Sequence, residues 1–332
     1  MVIYLVFLGI AAALHQAQYD ALILFFRNQT QTWGLYLNTT HDPCTEPSWS
    51  GVVTCDGTNQ VALKLEFNSR GFQYPIPNSL QALTNMTLLD LSFNNINGTI
   101  PTSLMMLTQL QALKLSGNQL SGVIPTQIGN LVSLVTLDIS YNPVYSLPTA
   151  IGRLTKLHIL QLDHSFINGT IPYQIGYLTA LTSIDMSNSL ISGEIPTVIG
   201  VLTSLQSLGL SSTHLAGAIP TTIGSLTQLV YLYLGTNRFT GTIPTNIGTL
   251  TSLKILQLES NYFTGTIPSN IGYLTSLQVL NLRDNKLNGT LPQSFDNLSS
   301  LFSLHIYDNQ LSGTIPDQMQ KNLKSVLVTY DC

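Results

Sequence analysis

The chain has 332 residues, of which 44% are hydrophobic and only 8% are Asp, Glu, Lys or Arg, and its formal net charge is −4. This balance lacks the basic surface that nucleic-acid binding usually requires, so we expect no nucleic-acid partner. The length admits either two compact domains or one long repetitive domain.

The N-terminus has the pattern of a secretory signal sequence. Residues 2–14 form an apolar run of 13 residues, which is too short to span a bilayer and suits a signal core. We predict a signal peptide over residues 1–17, and a buried N-terminal helix is the alternative. Because no later stretch reaches membrane-spanning length, the chain as given is expected to be secreted, or to lie at the cell surface if it is a fragment of a receptor.

Residues 18–60 follow the predicted signal peptide and contain two of the three cysteines. Three cysteines predict one disulfide and one remaining thiol. A disulfide would suit an oxidising compartment.

From residue 61 to residue 322 the sequence is repetitive, with a spacing of 24 residues that shortens to 23 once, between Asn142 and Ser165. A degraded first copy over 62–83 brings the prediction to about eleven repeats. Each repeat contains a Leu-x-Leu strand pattern, which would bury alternate side chains. A single repeat cannot bury this surface alone, so the repeats must stack. The first apolar column contains Leu89, Leu113, Leu137, Leu160, Ile184, Leu208, Leu232, Leu256, Leu280 and Leu304.

A polar column follows three residues after the second apolar position. Its members are Asn94, Asn118, Asn142, Ser165, Ser189, Thr213, Asn237, Asn261, Asn285 and Asn309. An asparagine amide can both donate to and accept from backbone groups that stacking would leave unpaired. Serine and threonine can do part of this, which explains their occurrence in three repeats.

The second half of each repeat has the pattern G-x-I-P-x-x-I-G-x-L. The glycine indicates a turn where a side chain is unfavourable, and the proline fixes φ and removes a donor on the outer face. The segment "NPVYSLP" (142–148) lacks the glycine and is one residue short. We therefore predict a local defect there and no domain boundary.

The full pattern, L-x-x-N-x-L-x-G-x-I-P-x-x-I-G-x-L, resembles the plant-type leucine-rich repeat of receptor-kinase ectodomains and polygalacturonase-inhibiting proteins. This resemblance implies an α/β solenoid, a right-handed superhelix with a parallel β-sheet on its concave face. "YDALILFF" (19–26) and "DPCTEPSWSGVVTC" (42–55) resemble the N-terminal cap of that family, which implies a disulfide between Cys44 and Cys55.

The C-terminal residues 323–332 are expected to form an incomplete repeat. Val328 and Tyr330 have the spacing of inward positions in a twelfth strand, whose outer edge would have no neighbour. Three interpretations stay open: a fragment or an atypical cap, a dimer through this edge, or a partner recruited by Cys332. A Cys332–Cys332 dimer is the sharper hypothesis.

Seven sequons predict N-glycosylation, at Asn28, Asn38, Asn85, Asn97, Asn168, Asn288 and Asn297. Asn97, Asn168 and Asn288 share one column beyond the strand. None lies on a strand position that would line the concave face, which leaves that face free for a ligand.

No catalytic or metal-binding motif occurs in the sequence, so we expect a non-enzyme without a cofactor or metal. Asp284 and Asp308 occupy like positions in adjacent repeats, at a separation near that of glycosidase carboxyl pairs. An open surface would not raise the pKa of either group as catalysis requires, and too few ligands are present for a calcium site.

Binding is the better interpretation of the exposed strand positions. The candidate ligand-binding residues are Tyr141, His164, Tyr231, Tyr233, Glu259, Arg283, Asp284, His305, Tyr307 and Asp308. Tyrosine and arginine are enriched among the residues that anchor interfaces. The repeats from Leu232 to Leu304 are therefore the predicted contact patch. The middle repeats, with Ser183, Ser187, Ser207, Gly209, Ser211 and Ser212, predict a flat surface of little interest.

Two functions from different classes follow. The first is a secreted recognition module that binds a protein or peptide on its concave face, like an inhibitor or a receptor ectodomain. The second is a structural or ice-binding solenoid that uses two outer threonine columns. These are Thr99, Thr170, Thr242, Thr266, Thr290 and Thr314, and Thr108, Thr155, Thr179, Thr203, Thr227, Thr251 and Thr275.

Overall fold

The computed structural model of the protein describes residues 53–56, 62–316, 319 and 327–329. The predicted signal peptide and nearly all of the predicted cap lie outside these residues, as do Asn28, Asn38, Cys44 and Cys332. Cys55 is disulfide-bonded, and its predicted pairing with Cys44 stays a prediction. The chain divides into two compact units, Met1–Leu157 and His158–Cys332, and the predicted domain boundaries also stay predictions.

The first unit is built on a sheet whose last four strands are parallel. Its strands are β1 (Val53–Cys55), β2 (Ala62–Glu66), β3 (Leu88–Asp90), β4 (Ala112–Lys114) and β5 (Thr136–Asp138). Strand β1 pairs antiparallel with β2, and β2, β3, β4 and β5 then follow in parallel register. The degraded first copy is therefore a true repeat.

The second unit continues the same architecture. Its main sheet contains β6 (Ile159–Gln161), β8 (Ser183–Asp185), β10 (Ser207–Gly209), β12 (Tyr231–Tyr233), β14 (Ile255–Gln257), β16 (Val279–Asn281), β18 (Ser303–His305) and β20 (Leu327–Thr329). Neighbouring strands pair in parallel with the first apolar column in register, as Leu208 with Leu232. Strand β20 is the predicted twelfth strand, and Val328 pairs with Leu304.

Shorter parallel sheets follow the main strands in the second unit. One contains β7 (Asn168–Gly169), β9 (Leu190–Gly193), β11 (His214–Gly217) and β13 (Arg238–Phe239), and the other contains β15 (Thr264–Thr266), β17 (Lys286–Thr290) and β19 (Gln310–Ser312). In the first unit the defective repeat keeps only a bridge between Gly122 and Val144. The intact repeat before it also keeps only a bridge, between Thr99 and Ser121, so the local defect predicted at 142–148 stays a prediction.

The helical segments are single 3₁₀ turns and not α-helices. They span Asn78–Ala82, Thr102–Met106, Thr126–Asn130 and Thr149–Arg153 in the first unit, and Tyr173–Tyr177, Thr197–Val201, Thr221–Ser225, Thr245–Thr249, Ser269–Tyr273 and Gln293–Asn297 in the second. A proline precedes each turn and accepts its first hydrogen bond, as from the Leu104 N–H to the Pro101 oxygen. Bonds of the i to i+3 type hold each segment, as from the Leu107 N–H to the Leu104 oxygen.

The apolar columns form the core. Leu232, Leu234 and their equivalents in the other repeats are at most 1% exposed from residue 89 to residue 282. Full burial of a leucine side chain contributes roughly 1.5–3 kcal/mol relative to leaving it in water. Stacking therefore supplies the stability that no single repeat has.

The buried asparagines connect each repeat to the one before it. The Asn261 amide nitrogen donates to the oxygens of Leu258 and, one repeat back, Leu234, and its amide oxygen accepts the Phe239 N–H. A serine in this column does less: the Ser189 hydroxyl, three repeats earlier, donates to the Met186 oxygen of its own repeat. The predicted dual role of asparagine and the partial role of serine are both confirmed.

Candidate functional site

The candidate surface is the side of the main sheet of the second unit that faces away from the apolar core. Strand alternation buries Leu232 and directs Tyr231 and Tyr233 to the opposite side. We call this side the exposed sheet face. It comprises the outward side chains of β6 to β18 and those of the second and third residues after each strand.

Tyr231 and Tyr233 form a stacked aromatic pair on this face. Their ring centroids are 6.2 Å apart and the rings are nearly parallel, at 5°. The neighbouring strand β10 has no large side chain beside them, because Ser207 and Gly209 are their register partners. Burial raises the pKa of the Tyr233 hydroxyl, and the charges of Tyr231 and Asp185 raise it further.

Arg283 and Tyr307 form a second contact that involves an aromatic ring. Each is the second residue after its strand, β16 and β18 respectively. The Arg283 Nη1 donates to the Tyr307 hydroxyl at 2.7 Å, and its guanidinium carbon lies 5.3 Å from the ring centroid. His305 meets the same ring edge-on, with centroids 6.4 Å apart. The predicted patch thus contains one connected group of three residues at β16 and β18.

Glu259 occupies the position of Arg283 in the preceding repeat, on the side opposite to Tyr307. Its side chain points away from Arg283. Its carboxylate lies against Gly235, where an added Cβ would overlap it. Its Oε2 atom is buried and has no hydrogen-bond partner among the described residues. Burial raises the pKa of the Glu259 carboxyl group, although backbone hydrogen bonding and the Arg283 charge lower it.

Four of the predicted residues lie just after the strands and have left-handed backbone conformations. Tyr141, His164, Asp284 and Asp308 have φ values of 53°, 51°, 54° and 55°. This residue precedes the buried asparagine, serine or threonine in each repeat, so the chain turns sharply there. Aspartate tolerates such a φ better than bulky residues do. Asp284 and Asp308 are exposed, in the open environment that the sequence predicts.

His164 belongs to a small acidic group at β6. Its Nδ1 lies 2.9 Å from Oδ2 of Asp163. Burial raises the pKa of the Asp163 carboxyl group, the hydrogen bond from His164 lowers it, and the charge of Asp185 raises it again. Tyr141 lies in the first unit, where its side chain is exposed.

Sequence reasoning missed Asp185 and the two glycines of this face. Asp185 leans over Gly209, where an added Cβ would lie 2.6 Å from its Oδ1. Glu259 covers Gly235 in the same way, so both glycines are buried. A glycine at an outward strand position was the available signal, because it marks a close approach of other groups.

The described part of the chain contains neither a metal-binding cluster nor a membrane-spanning helix. Within residues 53–56, 62–316, 319 and 327–329, no group of three His, Cys, Asp or Glu side chains is arranged to hold a metal ion. No helix in those residues has the length and apolarity needed to cross a membrane.

Stacked strand-and-turn repeats with an asparagine ladder define the leucine-rich-repeat class of solenoid. Family models agree: a leucine-rich repeat region matches residues 79–193, and leucine-rich-repeat models match 228–250 and 251–311. Together they cover more than half of the chain. The chain belongs to the leucine-rich-repeat family, and its repeats are of the plant type.

Solved structures give the same assignment. A TDR receptor is 32% identical, with a TM-score of 0.79 over 85% of this chain and 49% of its own. The ectodomain of the Arabidopsis receptor kinase HAESA, in complex with an N-terminally extended IDA peptide hormone ligand, is 32% identical, with a TM-score of 0.78 over 86% of this chain and 48% of its own. The chain therefore spans about half the length of these receptor chains.

A plant ice-binding protein shares the fold at 24% identity, with a TM-score of 0.72 over 91% of this chain and 97% of its own. That similarity shows the fold alone. The comparison with curated protein sequences gives no match.

Proposed function

We propose that the protein is an extracellular recognition module that binds a peptide or protein ligand on the exposed sheet face, without catalysis. The observation that carries this proposal is the outward group of Tyr231, Tyr233, Glu259, Arg283 and Tyr307. The buried leucines and asparagines stabilise the repeats, whereas these large side chains lie outside that core. Tyrosine and arginine are among the residues most often found to anchor interfaces.

The structural relatives support the same function. The HAESA ectodomain was solved with a peptide hormone ligand, and a receptor named RGFR1, 29% identical over 81% of this chain and 47% of its own, was solved in complex with RGF2. A short peptide gains affinity from a rigid surface that needs little ordering on binding. The stacked repeats supply such a surface.

An extracellular location fits the glycosylation pattern that we propose. Asn97, Asn168 and Asn288 are exposed, and they lie in the segments that follow the main strands. Asn85 and Asn297 are exposed as well. Glycans at these five positions would leave the exposed sheet face accessible. The Cys44–Cys55 pairing and a dimer through Cys332 or the β20 edge remain additional proposals.

A binding experiment tests the proposal. Peptides selected from a displayed random library against the immobilised full chain are titrated against Tyr233→Ala and Arg283→Ala. We expect each substitution to weaken binding by at least about tenfold, because truncating an anchor residue typically costs more than 1 kcal/mol. Isothermal titration calorimetry measures the change in Kd.

Two matched substitutions lie away from the exposed sheet face. Tyr273→Ala removes an exposed tyrosine from a 3₁₀ turn, and Arg238→Ala removes an exposed arginine from β13. Both are expected to leave Kd unchanged. Equal weakening by the control substitutions, or no weakening by Tyr233→Ala and Arg283→Ala, would place the ligand elsewhere.

Ice binding is the second candidate, because the predicted threonine columns are regular and exposed. One column nevertheless has a packing role. The Thr266 methyl group lies 2.9 Å from where a Cβ on Gly289 would be, and the Thr290 methyl group lies 3.0 Å from that of Gly313. Each methyl group thus packs on the glycine of the next repeat, which accounts for the column without ice.

Thermal hysteresis separates the two candidates. We expect the purified protein to show no hysteresis above that of a charge-matched globular control, since the threonine methyl groups already contact glycine. Nanolitre osmometry measures the effect. Hysteresis that Thr266→Tyr abolishes while peptide binding is unchanged would favour the ice-binding function.

A further inference from the structure

The exposed sheet face of the second unit carries an excess of negative charge. Its carboxylates are Asp163, Asp185, Glu259, Asp284 and Asp308, and Arg283 is its one Lys or Arg side chain among the described residues. Arg283 donates to Tyr307 and does not pair with the adjacent Glu259. Among the described residues of this face, Asp163 lies within ion-pair distance of His164. The face is therefore complementary to a cationic ligand.

Two of these carboxylates, of Asp185 and Glu259, extend toward each other from opposite sides of the area around Gly209 and Gly235. Asp185 extends from β8 over Gly209 of β10, and Glu259 extends back from the β14 repeat over Gly235 of the β12 repeat. Gly209 and Gly235 belong to adjacent repeats and differ by two positions, so the usual strand spacings put them roughly 8 Å apart. That span suits one guanidinium or ammonium group between two carboxylates.

The floor of this area has polar atoms that the fold does not pair. The Ser211 hydroxyl and Glu259 Oε2 are buried and have no hydrogen-bond partner among the described residues. Ser211 precedes Ser212, whose N–H donates to the Gly235 oxygen, so the hydroxyl lies beside the same glycine. A buried polar atom without a partner is costly, and a donor group from a ligand would remove that cost.

One wall of the area is aromatic. Tyr233 is the register partner of Gly209 and stacks on Tyr231. Asp185 lies over Gly209, the register partner of Tyr233, so its carboxylate is beside the tyrosine. An aromatic ring beside carboxylates is a favourable environment for a cation and for the aliphatic stem that carries it.

We propose that the ligand is an extended peptide with a Lys or Arg side chain that lies against Tyr233, between the Asp185 carboxylate over Gly209 and the Glu259 carboxylate over Gly235. This inference rests on the proposed function and specifies the chemistry of its ligand. The glycines matter because a side chain at either position would displace the carboxylate. We call this area the acidic notch, formed by Asp185, Gly209, Ser211, Tyr233, Gly235 and Glu259.

The test uses the full chain and peptides selected from the displayed random library. Selected peptides are expected to share a Lys or Arg at one position. Asp185→Asn and Glu259→Gln are each expected to weaken their binding by about tenfold, because a charge-assisted hydrogen bond is lost. Asp185→Asn keeps an oxygen that can accept the Ser187 N–H, so the local fold is preserved. Replacing the shared Lys or Arg of the peptide by norleucine should cause a similar loss.

Two further variants control for charge and for shape. Glu194→Gln removes one negative charge at an exposed position just after β9, outside the exposed sheet face, and it is expected to leave Kd unchanged. Gly209→Gln leaves the net charge of the face unchanged but displaces the Asp185 carboxylate from its place over residue 209, and it is expected to abolish binding. Circular dichroism melting curves confirm that each variant is folded.

The outcomes separate this inference from the proposed function. Peptides that lose affinity on Tyr233→Ala but lack a shared cation, or that bind Asp185→Asn and Glu259→Gln normally, would refute the acidic notch and leave the binding surface in place. If the wild-type chain selects no peptide, both the recognition function and the notch are wrong.

Discussion

Replacing Asn261 by alanine is expected to lower the free energy of unfolding by about 3 kcal/mol. The substitution removes the acceptor of the buried Phe239 N–H and the donor to the Leu234 oxygen, which belong to the preceding repeat. The Leu234 oxygen keeps a bond from Asn237, so most of the cost comes from the orphaned N–H. Urea denaturation followed by circular dichroism measures the change.

A graded control comes from the chain itself. Asn261→Ser is expected to cost slightly less than Asn261→Ala, because a serine hydroxyl can still donate to the oxygen three residues back, as Ser189 does, whereas the Phe239 N–H stays unpaired. Ser189→Ala removes one such bond and is expected to cost about 1 kcal/mol. Equal costs for Asn261→Ala and Ser189→Ala would show that the bonds between repeats contribute nothing.

Replacing Phe263 by alanine is expected to destabilise the protein by about 3–5 kcal/mol. Phe239 and Phe263 are fully buried in adjacent repeats, and their rings stack at 6.1 Å and 12°. Loss of one ring leaves a cavity and removes the partner of the other ring. The same urea titration reports the difference, and an unchanged m-value would show that the compactness of the folded state is preserved.

Phe263→Leu is the matched control. The equivalent positions in two other repeats are Leu215 and Leu287, both fully buried, so the repeat geometry accepts a leucine there. We expect a cost of about 1 kcal/mol, for the lost ring contact and a small void. A loss as large as that of the alanine variant would mean that the aromatic stack, and not the filled volume, supplies the stability.

The repeat fold is predictable from the sequence because each column has one physical task. Leu232 and its equivalents can only be buried, Asn261 is useful only where backbone groups need a partner, and Gly265 has a φ of 73° that disfavours other residues. The same constraints recur every 24 residues, so the neighbouring repeats predict the structure of a repeat whose own sequence departs from the pattern. The 3₁₀ form of the turns was not predicted, and only the structure shows it.

The binding surface is predictable only in part. Column arithmetic places Tyr231 beside Tyr233 and Arg283 beside Tyr307, and the structure brings both pairs into contact. Arithmetic gives positions, however, and not the direction in which a long side chain turns. Glu259 and Arg283 are adjacent opposite charges that would be expected to pair, yet they point away from each other.

The sequence by itself therefore determined the stack, its period, its buried columns and the positions that remain exposed, because a 24-residue repeat fixes which side chains must pack on their copies. The tertiary structure decided where the carboxylate groups of Asp185 and Glu259 lie. Those groups occupy space that glycines in the neighbouring repeats leave empty, and that space exists only after the repeats have stacked. Middle repeats that look featureless as a string of serines and glycines thus form part of the acidic notch, together with the repeats of Tyr233 and Glu259.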